Sequence, residues 1–227
     1  MMNAIWAPWK RHQVLFSAMR RMKRKPRVAL IGASYDGGDL NRIAKLARFY
    51  DVTDYITVFE RIPFQQVMEV VCSSRCCVLL SLKEGANRAL TESMFCDVPV
   101  ILLAEHIGGV RKNVVSQTGL VVPERHLVQS LERVIWGEPS FAPRQWALEN
   151  ISCVASTAVL NRRLRAVAEQ DGEAWTQDIV VRSNSPESKY FDPAEAAALA
   201  EANAAVAAFV QNKRSIPVPG ADEHQRH

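Results

Sequence analysis

The chain has 227 residues, of which 48% are hydrophobic and 23% are charged, and its formal net charge is +4 at pH 7. This balance is typical of globular proteins and excludes a disordered or fibrous chain. The length allows one sizeable domain and an appendage. Because no apolar run reaches the roughly 18 to 20 residues that span a bilayer, and no signal peptide is visible, we expect a cytoplasmic protein.

Short apolar runs alternate with helical patterns through the first two thirds of the chain. The predicted strands are residues 3–7, 27–33, 55–59, 75–81, 98–103 and 119–122. The predicted helices are residues 12–22, 40–50, 64–72, 87–95 and 127–136. This alternation indicates a parallel sheet covered by helices. We therefore predict a Rossmann-like α/β domain over residues 1–142, with helices on both faces of the sheet.

The remaining residues have a different pattern. Residues 143–212 are predicted to form a helical C-terminal extension, and residues 213–227 a disordered tail. The last helix of the extension should begin after Asp192, because Pro193 suits the first helical position and Glu195 completes a capping box.

Cysteine and basic residues suggest little specific chemistry. The five cysteines form an odd set without paired CxxC spacing and are interpreted as buried thiols, with a metal site on Cys72, Cys76 and Cys77 as a minor alternative. A basic stretch runs from Lys10 to Arg27. It is interpreted first as a solvated helix face, with peripheral contact to an anionic membrane on its inner face as a second reading. Nucleic acid is not an expected partner, because aromatic residues for base stacking are not interleaved with these basic side chains.

The segment that joins the fourth major strand to its helix carries the most informative pattern. Residues 75–81 are almost continuously apolar, as in a strand buried on both faces, and should lie at the centre of the sheet. Glu84 follows this strand, and Glu92 lies in the helix after seven intervening residues. Ligands of open α/β sheets bind beyond the carboxyl ends of the strands. Free N–H groups at the start of the helix suit phosphate, and the carboxylates suit sugar hydroxyls.

This pattern resembles that of the group 1 retaining glycosyltransferases of the GT-B fold, also called family four, whose donor-binding domain carries Glu, seven residues and Glu. Further likeness is seen in the lysine at the start of the first helix, a glycine-ended strand, the stretch after the second Glu, and a double glycine before the last strand. These features are Lys10, Gly32, residues 92–103, and Gly108 and Gly109 with residues 118–122. The resemblance covers residues 4–168.

The resemblance implies a role for each matching residue. Glu84 would hold hydroxyls of the transferred sugar, Glu92 the ribose hydroxyls, and Lys10 the diphosphate. The backbone near Ile62 would border the base, with Gly32 also at the substrate. Backbone amides for the sugar or phosphate would come from Gly85, Ala86, Asn87, Arg88 and Ala89. The predicted catalytic residues are thus Glu84 and Lys10, with no metal and no cofactor, the nucleotide-diphosphate sugar being the substrate.

The sequence also departs from the family pattern. Residues 4–9 contain no counterpart of the arginine that precedes the family's lysine, and Lys112 stands where an acidic residue is common. The N-terminal acceptor-binding domain of the fold is not in this sequence, so we expect a fragment that is inactive as a transferase without that domain. The alternative is a non-catalytic module that binds a nucleotide or a partner chain. An NAD-dependent enzyme is a weaker alternative, because the residues after Gly32 do not form GxGxxG.

Overall fold

The computed structural model describes residues 1–35, 37–137, 140–183 and 192–214. Its strands are β1 (Met2–Asn3), β2 (Val28–Gly32), β3 (Ile56–Glu60), β4 (Cys77–Leu79), β5 (Val100–Leu103) and β6 (Gly119–Val122). Its helices are α1 (His12–Arg21), α2 (Leu40–Phe49), α3 (Phe64–Cys72), α4 (Arg88–Phe95), α5 (Leu127–Trp136), α6 (Pro143–Asn150), α7 (Cys153–Gln170), α8 (Pro193–Ala198) and α9 (Ala200–Arg214). Residues 215–227, most of the predicted tail, lie outside the described residues.

The strands form two parallel three-stranded sheets, ordered β1-β2-β3 and β4-β5-β6. Hydrogen bonds at Met1 place β1 beside β4: the Met1 nitrogen donates to the Cys76 carbonyl at 2.7 Å, and the Val78 N–H donates to the Met1 carbonyl at 3.1 Å. The strands therefore follow one another in the order β3, β2, β1, β4, β5, β6. This is the order of a doubly wound nucleotide-binding fold, in which the direction of winding reverses between β1 and β4.

Alternation along the strands divides the core between the two faces of the sheet. Val78 and Leu80 pack with α1, α2 and α5, whereas Cys77 and Leu79 pack with α3, α4 and α6. Successive side chains of a strand point to opposite faces, so a strand that is apolar at every position needs helices on both sides. The predicted fold class is confirmed, and β4 takes the predicted central position between β1 and β5.

The first compact unit runs from Met1 to Ile151, past the predicted boundary at residue 142, because α6 packs against α4. Pro143 begins α6, and the Arg144 N–H donates to Asp97 Oδ1 at 3.1 Å. The second unit begins at Ser152, whose hydroxyl accepts from the Ala155 N–H and caps α7. The first part of the predicted helical extension therefore consists of two helices, α6 and α7, of which α6 belongs to the first unit.

In the second unit, Asp192 caps α8 as predicted, since its carboxylate accepts from the Ala194 N–H at 2.9 Å. Asn161 connects α7 to the segment that follows it: its side chain exchanges two hydrogen bonds with the backbone of Ile179, at 2.8 and 3.2 Å. This unit thus has its own internal polar contacts. Among the described residues, no helix combines the length and apolar character that crossing a membrane requires.

The prediction that all five cysteines are buried is wrong. Cys76 and Cys77 are buried, but Cys72 is exposed, and Cys96 and Cys153 are partly buried. Val71 and Cys72 are consecutive apolar residues at the end of α3. Consecutive side chains of a helix point in directions that differ by about 100°. Burial of Val71 in the core therefore turns the next side chain toward solvent.

Candidate functional site

The predicted site residues follow the carboxyl ends of four neighbouring strands. Lys10 follows β1, Gly32 ends β2, Ile62 follows β3, and Glu84 follows β4. Because the strands are parallel, these four ends lie at one edge of the sheet. Lys10 and Glu84 follow β1 and β4, the two strands between which the winding reverses. A crevice at that position is the common ligand site of doubly wound folds.

Lys10 and Glu84 form an ion pair across this switch point. Lys10 Nζ donates a hydrogen bond to Glu84 Oε1, and the side chains are only 12% and 16% exposed. A short 3₁₀ helix, Pro8–Lys10, presents the lysine, and Arg11 then adopts a left-handed conformation as α1 begins. The sequence interval of 74 residues shows that only the tertiary fold brings the two charges together.

The ionisation of Glu84 reflects competing influences. Burial raises the pKa of this carboxyl group, but hydrogen bonding and the positive charge of Lys10, with polar groups of Ser81 and Asn87, outweigh it and hold the pKa below its ordinary value. Glu84 is therefore a carboxylate at neutral pH. A carboxylate only accepts hydrogen bonds, so it suits donors such as hydroxyl groups or the Lys10 ammonium.

The segment after Glu84 offers unused donors. Asn87 caps α4, because its Oδ1 accepts from the Leu90 N–H at 2.9 Å. Within the described residues, no hydrogen bond is made by the backbone N–H groups of Gly85, Ala86, Arg88 and Ala89. Gly85 and Ala86 are also solvent-exposed. These free donors and the positive end of the helix dipole form a surface on which an anion is favoured.

Glu92 lies farther along α4 and has a different partner. Its Oε1 is 3.6 Å from Arg88 Nη2, an i,i+4 pair in which the glutamate side chain is 23% exposed and the arginine is 69% exposed. Within the described residues, no hydrogen bond or ion pair links Glu92 to Glu84. The structure therefore brings Lys10, Glu84 and Asn87 together. Glu92 lies in α4, the helix that Asn87 caps, and makes no hydrogen bond or ion pair with these three residues in the described part of the chain.

Gly32 and Ile62 lie side by side at the ends of β2 and β3. The Arg61 N–H donates to the Gly32 carbonyl at 3.0 Å, so the residue before Ile62 is tied to Gly32. A Cβ on Gly32 would lie 2.2 Å from the Ala4 carbonyl oxygen. Glycine is therefore needed here, because the segment after β1 passes too close to this backbone for any side chain. Ile62 is partly buried against the core. Both positions border the same edge of the sheet as Lys10.

The connection after β5 supports Glu84 from the other side. The Glu84 N–H donates to the Ile107 carbonyl at 3.1 Å, and the Ile107 N–H donates to Leu82 at 2.7 Å. His106 is buried, and its Nδ1 lies 2.8 Å from the Ser81 carbonyl, to which it must donate. At Gly108, a Cβ would lie 1.7 Å from the Glu84 carbonyl oxygen. The backbone of Glu84 is thus fixed by a loop 20 residues or more away in sequence.

Sequence reasoning missed several groups around this pair. Arg11 reaches Glu124 Oε2 at 2.6 Å and the Leu80 carbonyl at 3.4 Å, which ties the start of α1 to the ends of β4 and β6. His12 and His106 had no motif spacing, yet both are buried, and each has an Nε2 without a partner within the described residues. Ser81 Oγ also lacks a hydrogen bond of good geometry there. No signal in a single sequence marks these residues.

His12 lies next to the site at the start of α1. It packs edge-to-face against Trp6, with ring centroids 5.6 Å apart. Burial and, to a smaller extent, the charge of Lys10 lower its pKa from 6.5 to about 4. His12 is therefore neutral at physiological pH and adds no charge beside the Lys10 ammonium.

The described residues contain no cluster of three or more His, Cys, Asp or Glu side chains that could hold a metal ion. A cavity of about 390 Å³ in the first unit lies at the amino-terminal edge of the strands, between Val28, Cys76 and Trp136. Glu84 and Lys10 do not line it. The candidate site is an open surface at the opposite edge of the sheet.

The architecture defines a Rossmann-like α/β domain. A family model described as "Glycosyl transferases group 1" matches residues 5–139. The chain therefore belongs to the group 1 glycosyltransferases, which have the GT-B fold. No curated protein sequence gives a match to this chain.

Solved structures support the same fold. A sucrose-phosphate synthase from Thermosynechococcus elongatus is 23% identical with a TM-score of 0.61, and the match covers 73% of this chain and 46% of that one. A glycosyltransferase from Rickettsia africae is 18% identical with a TM-score of 0.60, covering 76% and 48%. Anabaena HepE, solved in complex with UDP, is 16% identical with a TM-score of 0.55, covering 74% and 48%. The chain thus spans about half the length of these proteins.

Proposed function

We propose that the first compact unit binds the donor of a retaining hexosyltransferase, a nucleotide-diphosphate sugar. The observation that carries this proposal is the meeting of Lys10 and Glu84 at the switch point, next to the free N–H groups that begin α4. A diphosphate needs positive charge and N–H donors, and a sugar needs acceptors for its hydroxyl groups. One ligand that has both parts satisfies both demands.

The proposed role of each group is the one that the family resemblance implies. Lys10 and the amides of residues 85–89 contact the diphosphate or the adjoining sugar, and Glu84 accepts hydrogen bonds from the transferred sugar. Glu92 accepts from the ribose hydroxyls, the backbone near Ile62 borders the base, and Gly32 also lies at the substrate. The ion pair of the free protein must then change, because Lys10 turns part of its charge toward the diphosphate. Sugar hydroxyls take the place of the ammonium on Glu84.

The same arrangement can promote departure of the diphosphate. As the bond between the sugar and the diphosphate breaks, negative charge grows on the phosphate oxygens. The Lys10 ammonium and the helix-terminal N–H groups stabilise that charge without reorganising. We therefore propose that a divalent cation is dispensable. Donor binding should keep its affinity in excess chelator, and a loss of affinity that magnesium restores would contradict this part of the proposal.

Transfer also needs an acceptor, and the GT-B active site lies between two domains. We propose that the open edge of the sheet around Lys10 and Glu84 is one wall of such a cleft. The other wall and the acceptor pocket would come from an acceptor-binding domain. Anabaena HepE, which shares the fold, was solved with UDP, and this supports a nucleotide ligand for the wall described here.

Isothermal titration calorimetry on the full chain tests the assignment. The ligands are UDP, GDP and ADP, their hexose derivatives, and NAD. We expect one nucleotide and its hexose derivative to bind. Glu92→Gln should weaken both by about 10- to 150-fold, because a hydrogen bond to a charged group is worth about 1.5 to 3 kcal/mol. Glu84→Gln should remove the preference for the sugar derivative over the bare nucleotide.

Glu69→Gln, an exposed glutamate on α3, is the matched control and should bind as the wild type does. Equal affinities for the wild type and both site variants would reject the assignment. Binding of a bare nucleotide without any preference for its sugar derivatives would instead favour a non-catalytic nucleotide-binding module. Binding of NAD alone would favour the nicotinamide cofactor.

A further inference from the structure

Two cysteines from different helices lie against each other on the surface of the first unit. Cys72 is the last residue of α3, and Cys96 follows the last residue of α4. Their sulfur atoms are 2.7 Å apart, and both are free thiols in the structure. A disulfide bond has a length of about 2.0 Å, so a movement of less than about 1 Å joins the two sulfurs.

The other cysteines of the first unit do not share this arrangement. Cys76 and Cys77 are adjacent in sequence and buried, and burial raises the pKa of both thiols. They are shielded from reagents in solution and point to opposite faces of β4. Cys72 is exposed, so it is open to attack on an oxidant. The pair at the ends of α3 and α4 thus combines access with proximity.

The surroundings of the pair indicate an order of reaction. Burial, the contact with Cys72 and the negative charge of Glu92 raise the pKa of Cys96 to about 12, against the opposing charge of Arg144. Cys96 therefore stays protonated at neutral pH, whereas the exposed Cys72 meets solvent directly. Disulfide exchange begins with the thiol that is accessible, and a neighbouring thiol then resolves the mixed disulfide.

We propose that Cys72 and Cys96 are a reversible redox modification site, which closes to a disulfide between α3 and α4 when a low-molecular-weight disulfide oxidises it. The Cys72 thiolate attacks one sulfur of the oxidant, whose S–S bond breaks as the new bond to Cys72 forms. The first thiolate leaves and takes a proton. Cys96 then loses its proton and attacks the Cys72 sulfur, which releases the second thiol. Two protein thiols are oxidised, and one small disulfide is reduced to two thiols.

The link would act on the helix that carries the candidate site. α4 is capped by Asn87, which lies near Glu84, and the helix ends next to Cys96, one turn after Glu92. A bond between its C-terminal end and α3 restricts the unfolded chain by closing a loop of about 25 residues. Oxidation should therefore raise the melting temperature by about 5 °C or more. This effect is independent of whether the unit binds a nucleotide sugar.

Oxidised glutathione is the probe. The full-length chain, first reduced and then freed of reductant, is treated with it, quenched with acid and an alkylating agent, and analysed by intact mass and peptide mapping. We expect the wild type to lose two hydrogen atoms, to retain no glutathione and to give a peptide cross-linked through Cys72 and Cys96. Dithiothreitol should restore both thiols and the lower melting temperature.

Single variants separate the two steps. Cys96→Ser should stop at a mixed disulfide, with one glutathione on Cys72, and Cys72→Ser should give no cross-link. Cys153→Ser, which removes a partly buried cysteine of the second unit, should cross-link as the wild type does. Two outcomes would overturn the proposal: a wild type that keeps glutathione on Cys72 without closing, or one whose thiols stay reduced at a glutathione ratio that modifies Cys72 in Cys96→Ser.

Discussion

Lys10 and Glu84 form an ion pair at the point where the sheet changes its direction of winding. Lys10 lies in the segment that follows β1, and Glu84 lies in the loop that follows β4. Both are largely withdrawn from water, and neither has another ion-pair partner within the described residues. Removal of one charge leaves the other partly buried and alone. This relationship determines both the stability of the free site and its response to a ligand.

A double-mutant cycle on Lys10 and Glu84 should measure the free energy of interaction between the two side chains. Lys10→Met should lower the free energy of unfolding at pH 7 by about 1 to 2 kcal/mol, because Glu84 loses its counter-ion in a partly desolvated position. Lys10→Met with Glu84→Gln should recover much of that loss, since no uncompensated charge remains. Urea denaturation of the wild type, both single variants and the double variant measures the coupling. Additive effects would show that the pair does not interact in solution.

The ion pair should also make the stability of the folded protein depend on pH. The folded-state pKa of Glu84 lies below its unfolded value of about 4.5, so its ionised form stabilises the protein above that pH. This contribution is lost as the pH falls through the folded pKa. In Lys10→Met the main cause of the depression is gone, and the pKa of Glu84 should rise. Titration of the Glu84 carboxyl by NMR in both proteins tests the direction, and an unchanged pKa would contradict it.

Two substitutions of Asn87 can separate its role as the cap of α4 from its position beside the proposed ligand. Asn87→Ala should lower the free energy of unfolding by about 1 kcal/mol, because the Leu90 N–H loses its acceptor. Asn87→Asp should keep the cap of α4, since aspartate caps a helix as well as asparagine does, although its charge beside Glu84 should lower the stability somewhat. It should nevertheless weaken nucleotide-diphosphate binding, because it adds negative charge where the phosphates are proposed to lie. Equal binding by Asn87→Asp and the wild type would place the diphosphate elsewhere.

Gly108 should tolerate no side chain. Its φ is 154°, and a Cβ would lie 1.7 Å from the Glu84 carbonyl oxygen and 3.1 Å from His106 Nε2. Gly108→Ala should therefore lower the free energy of unfolding by about 2 kcal/mol or more. Gly85→Ala is the matched control for stability, because no atom of the described residues lies within 4 Å of the position its Cβ would take. Thermal and urea unfolding of the two variants should differ clearly, and similar values would contradict the close approach of these loops.

The double glycine shows how far the sequence alone can lead. The resemblance marked Gly108 and Gly109 as a family feature, but only the structure gives the reason, which is the contact between the loops after β4 and β5. Element positions were predictable because each depends on local patterns: α3 spans the predicted residues, and β6 and α5 do as well. The order of the strands and the Lys10 to Glu84 contact depend on pairing between distant residues, which no local pattern encodes.

The same limit explains the errors and omissions. Burial of Val71 rather than Cys72 depends on the rotation of α3 against the core, and the exposure of Cys72 could not be inferred from its apolar neighbours. His12 and His106 are far apart in sequence and have no motif spacing that would mark them as site residues. Each is buried at this edge of the sheet through tertiary contacts alone. The shape of the loops, including the left-handed Arg11, also follows from those contacts.

His12 should make the stability of the protein fall in mildly acidic solution. The unfolded chain binds a proton at this residue near pH 6.5, whereas the folded protein does so only near pH 4. Stability is therefore fully present above pH 6.5 and decreases as the pH falls toward 4, by up to about 3 kcal/mol. His12→Gln removes the titrating group and should flatten the profile between these values, with the Glu84 contribution lost only at lower pH. Urea unfolding at half-unit steps from pH 7 to pH 4 measures the stability of both proteins. If the wild-type and His12→Gln profiles run parallel, His12 binds a proton in the folded state as readily as in the unfolded state.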